Sequence, residues 1–376
     1  MNGSDVASGG VGHLYVHLPF CAHRCGYCDF VTAVGRLEGH AAYADALLAE
    51  LERGRWRLAP ELETVFLGGG TPTFTEPEAL DSVLAALPDA GELTVEANPE
   101  TVTPELASLL REGGVNRVSL GAQSFRPRLL EVLERVAGPD DVRRAVHNLR
   151  DAGFDNISLD LIYGIPGQSP ADLEADLADA LALEPEHLSC YELEAKQGTR
   201  FTHAHGDELA RQAEAMEGYA ERVVETLTGA GYRWYETANF CRSKRGRDLR
   251  AQHNLAIWRG ADYLGIGVGA VSTLGAERRR NLPSVARYVA ALEGGDAPPR
   301  EVERLDAPTR AVERLMLGLR LDEPFAVETA GVEDVVDADA LERLTVAGLV
   351  DRVGEGVRLT SRGRLLGGAV TAELLA

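Results

Sequence analysis

Strand and helix patterns alternate through the first 230 residues, and this alternation constrains the fold more than any other feature. Six runs rich in β-branched and apolar residues are predicted strands: LYVHL (14–18), TVFLG (64–68), LTVEA (93–97), NRVSLG (116–121), NISLDLI (156–162) and HLSCYEL (187–193). Helical patterns occur near residues 40–53, 77–87, 104–113, 127–150, 170–183 and 207–230. Such alternation indicates βαβ units and a parallel sheet. Six units are too few for a closed eight-stranded barrel, so an open partial barrel and a doubly wound sheet both remain.

Glycine-rich and polar segments follow several of these predicted strands. GGGTP follows the second strand, Glu96 and Asn98 end the third, GAQS follows the fourth, and Asp160 with YGIPG belongs to the fifth. Functional sites in parallel α/β folds lie at the carboxyl ends of the strands. The shared placement therefore predicts one site at that edge of the sheet.

The strand–helix period ends near residue 235. RSKRGRD (242–248) is a basic loop, and YLGIGVGAVSTLG (263–275) is glycine-rich and apolar. The tail LERLTVAGLVDRVGEGVRLTSRGRLLG predicts a helix, a hairpin that turns at GEG, and a short helix, which is a winged-helix outline. We predict a disordered lead (1–12), a core (13–235) and a smaller C-terminal domain (236–376).

Charge and cysteine content limit the partners and the compartment. The chain has 59 acidic and 38 basic residues and a net charge of -21, which disfavours binding to nucleic acid or to anionic membranes. The sequence contains no run of about 18 apolar residues, so it predicts no membrane span. The segment MNGSDVASGG lacks the features of a signal peptide. Five cysteines in 376 residues do not resemble a disulfide framework, so we expect reduced thiols and a cytoplasmic protein.

Three of the five cysteines, Cys21, Cys25 and Cys28, lie in CAHRCGYCDF with the spacing C-x3-C-x2-C. A structural zinc site takes four ligands, and His17 or His23 is near enough in sequence to complete one. A [4Fe–4S] cluster takes one thiolate per iron, so three thiolates leave one iron open to an external ligand. The spacing, and the position directly after a strand, favour the iron–sulfur cluster over zinc.

The cysteine motif after the first strand, with GGGTP after the second, resembles the radical S-adenosylmethionine (SAM) superfamily. The resemblance implies that Cys21, Cys25 and Cys28 hold a [4Fe–4S] cluster and that SAM chelates the open iron. It also implies that the reduced cluster cleaves SAM to a 5′-deoxyadenosyl radical. Whether this chain performs that cleavage stays open.

Further segments extend the resemblance over residues 13–376: YVHLPFCAHRCGYCDF, FLGGGTPT, VEANPE, SLGAQSF, DLIYGIPGQ and LMLGLR. They are similar to the oxygen-independent coproporphyrinogen III oxidase family, which implies a partial (β/α)6 barrel with a smaller α+β C-terminal domain. True oxidases carry an additional cysteine two places after the third, where this chain has Phe30. The CDF ending is similar to the heme chaperone branch (HemW) of that family.

The same resemblance implies a set of SAM contacts. They are Tyr15, Tyr27, Gly69, Gly70, Thr71, Glu96, Gln123, Arg135 and Asp160. Glycines let a ligand approach the backbone, and a carboxylate such as Glu96 accepts hydrogen bonds from hydroxyl and amino groups. Alternatively, Asp160 is a buried capping group and Gln123 caps the next helix. The family's Gly-Arg-x-His pattern is LERVAGPDD here, with Glu134 in place of the glycine.

QHNLAIWRGADYLGIGVGA (252–270) resembles the His-Asn-x-x-Tyr-Trp motif of the heme chaperone branch, with Ile257 in place of the tyrosine. The resemblance implies that His253 and Trp258 bind heme, because imidazole is a common axial ligand and indole can stack on a porphyrin. The alternative is that both side chains simply pack in a domain interface.

Two functions remain open at the level of sequence. The first is a heme chaperone that binds a cluster, SAM and heme and transfers heme to an acceptor protein. The second is an oxidase that decarboxylates the propionates of coproporphyrinogen III, with the radical cofactor supplying the chemistry. An electron donor to the cluster is an expected partner of either, and an exposed cysteine loop is compatible with a homodimer.

Overall fold

The computed structural model of the protein describes residues 10–35, 39–194, 200–244, 246–327 and 331–375. Its strands, in chain order, are β1 (His13–Leu18), β2 (Phe20–Cys21), β3 (Ala33–Val34), β4 (Leu62–Gly69), β5 (Ala90–Ala97), β6 (Arg117–Gln123), β7 (Ile157–Tyr163), β8 (His187–Glu192), β9 (Tyr232–Glu236), β10 (Asn239–Arg242), β11 (Leu264–Ile266), β12 (Val271–Leu274), β13 (Glu277–Asn281), β14 (Arg300–Arg304), β15 (Phe325–Ala326), β16 (Val350–Val353) and β17 (Gly356–Leu359).

The α-helices are α1 (His40–Gly54), α2 (Pro77–Ala86), α3 (Pro104–Glu112), α4 (Pro127–Val132), α5 (Pro139–Asp151), α6 (Pro170–Ala182), α7 (Arg200–Gln212), α8 (Met216–Gly229), α9 (Gln252–Trp258), α10 (Val285–Glu293), α11 (Ala307–Gly318), α12 (Ala338–Val346), α13 (Ser361–Leu365) and α14 (Gly367–Leu374). Helices α2 to α6 each begin with proline, whose fixed φ suits the first helical position and whose missing N–H costs nothing there.

Nine strands form one sheet in the order β11-β1-β4-β5-β6-β7-β8-β10-β9. Strands β11 through β8 run parallel, and β10 and β9 close the other edge as an antiparallel hairpin. This arrangement is the predicted partial barrel, flanked by helices. Two of its strands, β10 and β11, come from beyond residue 235, so the predicted boundary at 235 falls inside one sheet.

The apolar core follows this architecture. One large cluster joins the outward-facing residues of the parallel strands to helices α1 to α3, α5, α6, α8 and α10. A separate, smaller cluster lies within residues 311–374, where α11, α12, α14 and the three-stranded sheet β15-β17-β16 pack together. The helix–hairpin–helix order of this tail confirms the winged-helix outline.

Some sequence expectations change in detail. The helical pattern over 127–150 forms two helices, α4 and α5, and the last helix of the core, predicted over 207–230, divides into α7 and α8. His203 and His205 lie on α7. Residues 1–9 of the predicted lead lie outside the described residues, whereas Val11 forms a bridge to Leu58 and is buried.

Candidate functional site

The inner face of the partial barrel is lined by every second residue of the parallel strands, because side chains alternate across a sheet. Tyr15 of β1 stacks against Phe66 of β4 with ring centroids 6.1 Å apart. Ser119 of β6 donates to both carboxylate oxygens of Asp160 on β7, at 3.2 and 3.1 Å. The barrel interior therefore contains both an aromatic pair and the polar pair of Ser119 and Asp160.

The cysteine loop begins at this carboxyl end. Cys21 ends β2, and the Cys28 N–H donates to the Cys25 carbonyl at 3.1 Å, which folds the intervening residues into a turn. Cys21 is buried, whereas Cys25 and Cys28 are partly exposed. Burial raises the pKa values of the Cys21 and Cys28 thiols. Without a metal, the protonated thiols are therefore favoured over thiolates at neutral pH.

Among the described residues, no three His, Cys, Asp or Glu side chains are arranged so that they could hold a single metal ion.

A circuit of contacts surrounds the loop. Cys21 Sγ lies 3.4 Å from the Thr71 hydroxyl, which accepts a hydrogen bond from the Asn98 amide at 3.0 Å. Arg135 donates to Asn98 Oδ1 at 3.0 Å and approaches Cys25 Sγ at 3.7 Å. Because the Asn98 amide donates to the Thr71 oxygen, the Thr71 hydroxyl proton is free to point at Cys21 Sγ. Sequence reasoning placed Asn98 at the strand end that predicts the site but assigned it no contact.

Gly68, Gly69 and Gly70 form a close-packed cradle beside the cysteines. A Cβ at Gly70 would lie 2.5 Å from the Pro19 carbonyl oxygen, and one at Gly69 would lie 2.6 Å from the His17 ring. Gly69 also has a φ of 113°, a conformation that glycine adopts without strain. Only glycine fits these positions, because Pro19 and His17 occupy the space that a side chain would need.

The carboxyl groups of Glu96 and Asp160 are near enough for the charge of Asp160 to affect Glu96. The Gly69 N–H donates to Glu96 Oε2 at 3.2 Å. Burial, followed by the nearby charge of Asp160, raises the pKa of Glu96 to about 7. Burial also raises the pKa of Asp160, against the hydrogen bonds from its serine neighbours. The pair can therefore hold a proton near neutral pH, and a cationic ligand group would favour its release.

Gln123 adopts a strained conformation at the end of β6. Its φ is 63°, and the pairing with β7 shifts register between Gly121 and Gln123. A bulge of this kind redirects a side chain at the rim of a sheet, and strain in a non-glycine residue is common at binding sites. The geometry does not make Gln123 a helix cap, because Arg126 is the residue before α4.

The position that departs from the family pattern also has a left-handed backbone. Glu134 has a φ of 55°, where the glycine of the family pattern would be unstrained. Its carboxylate lies 3.9 Å from His23 Nε2 in the cysteine loop. Glutamate at this position is therefore less favourable for the backbone than glycine, but its side chain contacts the cysteine loop. The Arg135 guanidinium still approaches Cys25 Sγ.

Tyr15 belongs to β1, and Tyr27 belongs to the cysteine loop itself. The Tyr15 hydroxyl donates to His17 Nδ1 at 3.0 Å, and His17 Nε2 donates to the Val31 carbonyl at 2.9 Å. Tyr27 packs against a small apolar cluster that includes Leu129. Burial raises the pKa of both phenols, so both remain hydrogen-bond donors at any physiological pH.

His253 lies at the opposite, amino end of the barrel. It is 2% exposed, and its Nδ1 lies 2.8 Å from the Thr64 hydroxyl, which is itself 2.9 Å from His13 Nδ1. The Thr64 hydroxyl can donate its proton to only one of the two rings, so the other ring must donate to the Thr64 oxygen. The two imidazoles are therefore opposite tautomers. Burial lowers the pKa of His253 to about 3, so it is neutral. Its Nε2 has no partner among the described residues.

Trp258 does not share the surroundings of His253. It packs against Tyr235 with ring centroids 6.3 Å apart, and the Arg320 guanidinium lies 5.9 Å from its ring. The His253 ring instead lies over Phe66, 5.3 Å away, inside the barrel. The structure therefore does not bring the two predicted heme residues to one surface. Beside α9, a cavity of about 800 Å³ opens at this amino end, away from the cysteines.

Known proteins match both parts of the chain. A family model described as the Radical SAM superfamily matches residues 15–180, and one described as the HemN C-terminal domain matches residues 305–366. "Heme chaperone HemW" from Mycobacterium tuberculosis is 36% identical over 96% of this chain and 94% of its own length. "Oxygen-independent coproporphyrinogen III oxidase" from Pseudomonas aeruginosa is 30% identical over 94% of this chain and 83% of its own length.

A solved structure shares the fold. It is a coproporphyrinogen III oxidase (HemN) from Escherichia coli, with a TM-score of 0.79 over 97% of this chain and 90% of that one, at 23% identity. This likeness supports the predicted architecture of barrel and C-terminal domain. Among the helices of the described residues, none is long and apolar enough to cross a membrane.

Proposed function

The chain belongs to the HemW branch of the oxygen-independent coproporphyrinogen III oxidase-like family within the radical SAM superfamily, and on that premise we propose that it is a heme chaperone. In this proposal it binds a [4Fe–4S] cluster, SAM and heme, and it transfers heme to an acceptor protein. The observation that carries the proposal is the three-cysteine loop with Phe30, and not a fourth cysteine, at its end. Phe30 is 62% exposed, so it takes no part in a buried site.

Cys21, Cys25 and Cys28 would hold the cluster, and the circuit through Thr71, Asn98 and Arg135 supports their positions. The Arg135 cation and the Thr71 hydroxyl both favour thiolate over thiol at the neighbouring sulfurs. When bound, the cluster supplies an electron for reductive chemistry on SAM. Gly69 and Gly70 would lie beside SAM, where side chains would not fit.

Glu96, Asp160 and Gln123 would receive the polar groups of SAM. A protonated Glu96 would lose its proton when the SAM cation binds, because an opposite charge favours the ionised carboxyl. Ser119 and its neighbours already orient Asp160, so little ordering is left for binding to accomplish. Tyr27 would contribute a neutral hydroxyl donor, whereas Tyr15, whose O–H is donated to His17, would offer its hydroxyl oxygen as an acceptor.

His253 stays a proposed heme ligand. Its Nε2 has no partner among the described residues, and a neutral imidazole nitrogen is a common axial ligand of heme iron. Because the side chain is buried inside the barrel, heme would reach it only after α9 had moved away from the amino end. Trp258 would then have to turn away from Tyr235 to stack on the same porphyrin.

The test is an anaerobic hemin titration of cluster-loaded protein, followed by absorbance. We expect saturation at one heme per chain. His253→Gln keeps a hydrogen-bonding side chain for Thr64 but removes the imidazole, and His147→Ala on the exposed face of α5 is the control. Weaker binding in the His253 variant alone would support His253 as the ligand. A folded, cluster-loaded wild type without saturable binding would refute the chaperone proposal.

The cluster itself is tested by Cys21→Ala. We expect loss of the broad iron–sulfur absorption and of most iron and sulfide after anaerobic reconstitution, since each thiolate holds a separate iron. Cys190→Ala is the control, because Cys190 is buried on β8 away from the loop. Retention of about four irons and sulfides per chain in Cys21→Ala would refute the assignment.

The second candidate is an oxygen-independent coproporphyrinogen III oxidase. It is favoured by the intact glycine cradle and by the identity to the Pseudomonas aeruginosa oxidase. Incubation of reduced protein with SAM and coproporphyrinogen III would produce porphyrin with fewer carboxylates if this candidate is right. An unchanged porphyrin from a sample that binds hemin would leave the chaperone proposal standing alone.

The proposed partners follow from the proposed cargo and cluster. A heme-acceptor protein and an electron donor are required, and self-association through the cysteine loop is compatible with its exposure. All five cysteines are free thiols, and cluster ligation needs them reduced, which supports the proposed cytoplasmic location.

A further inference from the structure

A crevice separates the barrel from the C-terminal tail. Helix α8, the carboxyl ends of β7 and β8, the β9–β10 hairpin and the end of α13 enclose about 290 Å³. That volume is at the lower end of the range for ligand pockets, roughly 300–1,000 Å³. It would accept one edge of a large ligand and leave the remainder outside.

The crevice contains a buried cation without a matching anion. Arg364 is 6% exposed and lines the crevice. Its Nη1 donates to the Trp234 carbonyl at 2.9 Å, and its guanidinium carbon lies 3.4 Å from the centre of the Trp234 ring. Nε and Nη2 are buried and have no hydrogen-bond partner among the described residues. Burial lowers the pKa of Arg364 to about 10, so it stays charged at neutral pH.

The acidic groups nearest to Arg364 are already engaged. Asp322 accepts two hydrogen bonds from Arg233 at 2.8 Å, and Glu236 accepts one from Arg320 at 2.6 Å. Glu192 and Glu217 line the crevice, but both are exposed at its rim. A buried, unpaired arginine is unfavourable unless an anion or ordered water satisfies its donors.

The remaining walls are mostly apolar. They comprise Tyr163, Cys190, Met216, Ala220, Val223, Val224, Trp234, Phe240, Leu365 and Leu366. Trp234 and Phe240 stack with ring centroids 6.1 Å apart. Leu366 is 37% exposed, so it is the wall residue most able to move aside. An apolar crevice with one buried cation suits a carboxylate attached to an apolar body.

We propose that this crevice binds one propionate edge of a tetrapyrrole, with Arg364 pairing the carboxylate. The inference rests on the proposed heme function and places the single heme in this crevice, as the alternative to ligation by His253. A carboxylate would satisfy Nε and Nη2 together, because arginine binds carboxylates through two parallel N–H donors. Trp234 and Phe240 would contact the macrocycle, most of which would stay outside. A site that leaves most of the ligand exposed suits a heme that must be transferred to another protein.

The variant Arg364→Met separates binding from folding. Replacing a buried, unpaired charge with an apolar side chain of similar length is often neutral or stabilising. We therefore expect a melting temperature that is unchanged or raised. If this variant does not fold, Arg364→Gln keeps a hydrogen-bonding group without the charge. Arg362→Met is the matched control, since Arg362 is exposed on the same helix.

The experiment titrates wild type and variants with hemin and with hemin dimethyl ester, which lacks free carboxylates. A charge-assisted hydrogen bond is worth about 1.5–3 kcal/mol, so we expect wild type to bind hemin about 10- to 100-fold more tightly than the ester. Arg364→Met should bind both porphyrins with equal, weak affinity, and Arg362→Met should behave as wild type.

Each outcome decides between the two proposals. Hemin binding that persists unchanged in Arg364→Met, or a preference for hemin over the ester that survives in it, would overturn the crevice and leave the chaperone function intact. Wild-type protein that binds neither porphyrin would overturn both. If the preference for hemin over the ester disappears in Arg364→Met and persists in Arg362→Met, the crevice is supported as the heme-binding site.

Discussion

Glu96 shows at the scale of one residue how the barrel interior controls protonation. Its carboxyl is held between the Gly69 amide and the Asp160 carboxyl, out of bulk water. The protonated form is therefore favoured in the folded chain, with a pKa of about 7 against an ordinary value of 4.5. Ionised Glu96 is a source of instability that SAM binding would relieve.

We predict that Glu96→Gln removes this instability. The folded-state pKa is raised, so the carboxyl contributes its full stability below about pH 4.5 and loses it as the pH rises through about 7. At pH 8 the variant should be more stable than wild type by at most about 3 kcal/mol, and at pH 4 the difference should vanish. Urea unfolding at both pH values measures this.

Glu131→Gln on the exposed face of α4 is the control and should change stability by less than about 0.5 kcal/mol at either pH. Equal stability of Glu96→Gln and wild type at pH 8 would mean that the buried carboxyl stays solvated. In that case the proposed coupling to SAM binding would lose its physical basis.

Residue identity constrains the cysteine loop more than it constrains the heme motif. The loop residues are sequential, so their spacing constrains which atoms can meet. His253 and Trp258 are also close in sequence, but one enters the barrel and the other faces Tyr235. Which side of a short helix faces a neighbour depends on tertiary packing, which the motif does not encode.

Helix α9 illustrates the next scale, that of an element. It closes the amino end of the barrel, and its first turn is capped by a strand residue. Glu92 of β5 accepts from the backbone N–H groups of Gln252 and His253, at 3.2 and 3.3 Å. The carboxylate accepts from two N–H groups that have no acceptor within the helix, and its negative charge interacts favourably with the positive end of the helix dipole.

Glu92→Ala should destabilise the protein by about 1–2 kcal/mol, because two buried N–H groups lose their acceptor. The matched control is Glu63→Ala, which lines the same cavity but is exposed. Chemical denaturation of both variants provides the comparison. Equal effects of the two substitutions would show that α9 is held by packing and not by its cap.

The predicted elements of the barrel agree with the observed ones because each strand is followed by clear turn or helix-start signals. Prolines at the first positions of α2 to α6 mark those starts in the sequence. The pattern fails where the helix-start signals are weaker, as at the division between α7 and α8. It also cannot reveal that β10 and β11 join the main sheet, since strand partners are long-range contacts.

At the scale of the whole molecule, the barrel depends on chain beyond residue 235. Strand β11 pairs with β1, β10 pairs with β8, and α9 fills the amino end. The buried carboxylate of Glu50 on α1 accepts from the Gly267 N–H, Asn281 and Tyr288, at 2.8, 2.9 and 2.7 Å. These contacts connect the first helix with segments more than 200 residues later.

A fragment of residues 1–235 should therefore fail to fold cooperatively, whereas residues 1–304 should retain the barrel. The longer fragment keeps both added strands, α9 and the partners of Glu50, and omits only the tail with its separate apolar cluster. Near-UV circular dichroism, urea unfolding and iron content after reconstitution would distinguish them. A cooperative transition in fragment 1–235 would contradict this dependence.

The sequence by itself determined the parallel architecture, the cysteine loop and the edge on which the site lies, because periodicity, spacing and strand ends are local properties. Tertiary structure alone decided that Asn98 links Thr71 to Arg135, that His253 is enclosed in the barrel, and that Nε and Nη2 of the buried Arg364 have no partner among the described residues. These facts depend on side chains that are distant in sequence and meet only after the sheet has closed. The physical reason is that burial and hydrogen-bond partnership are properties of surroundings, which no single segment specifies.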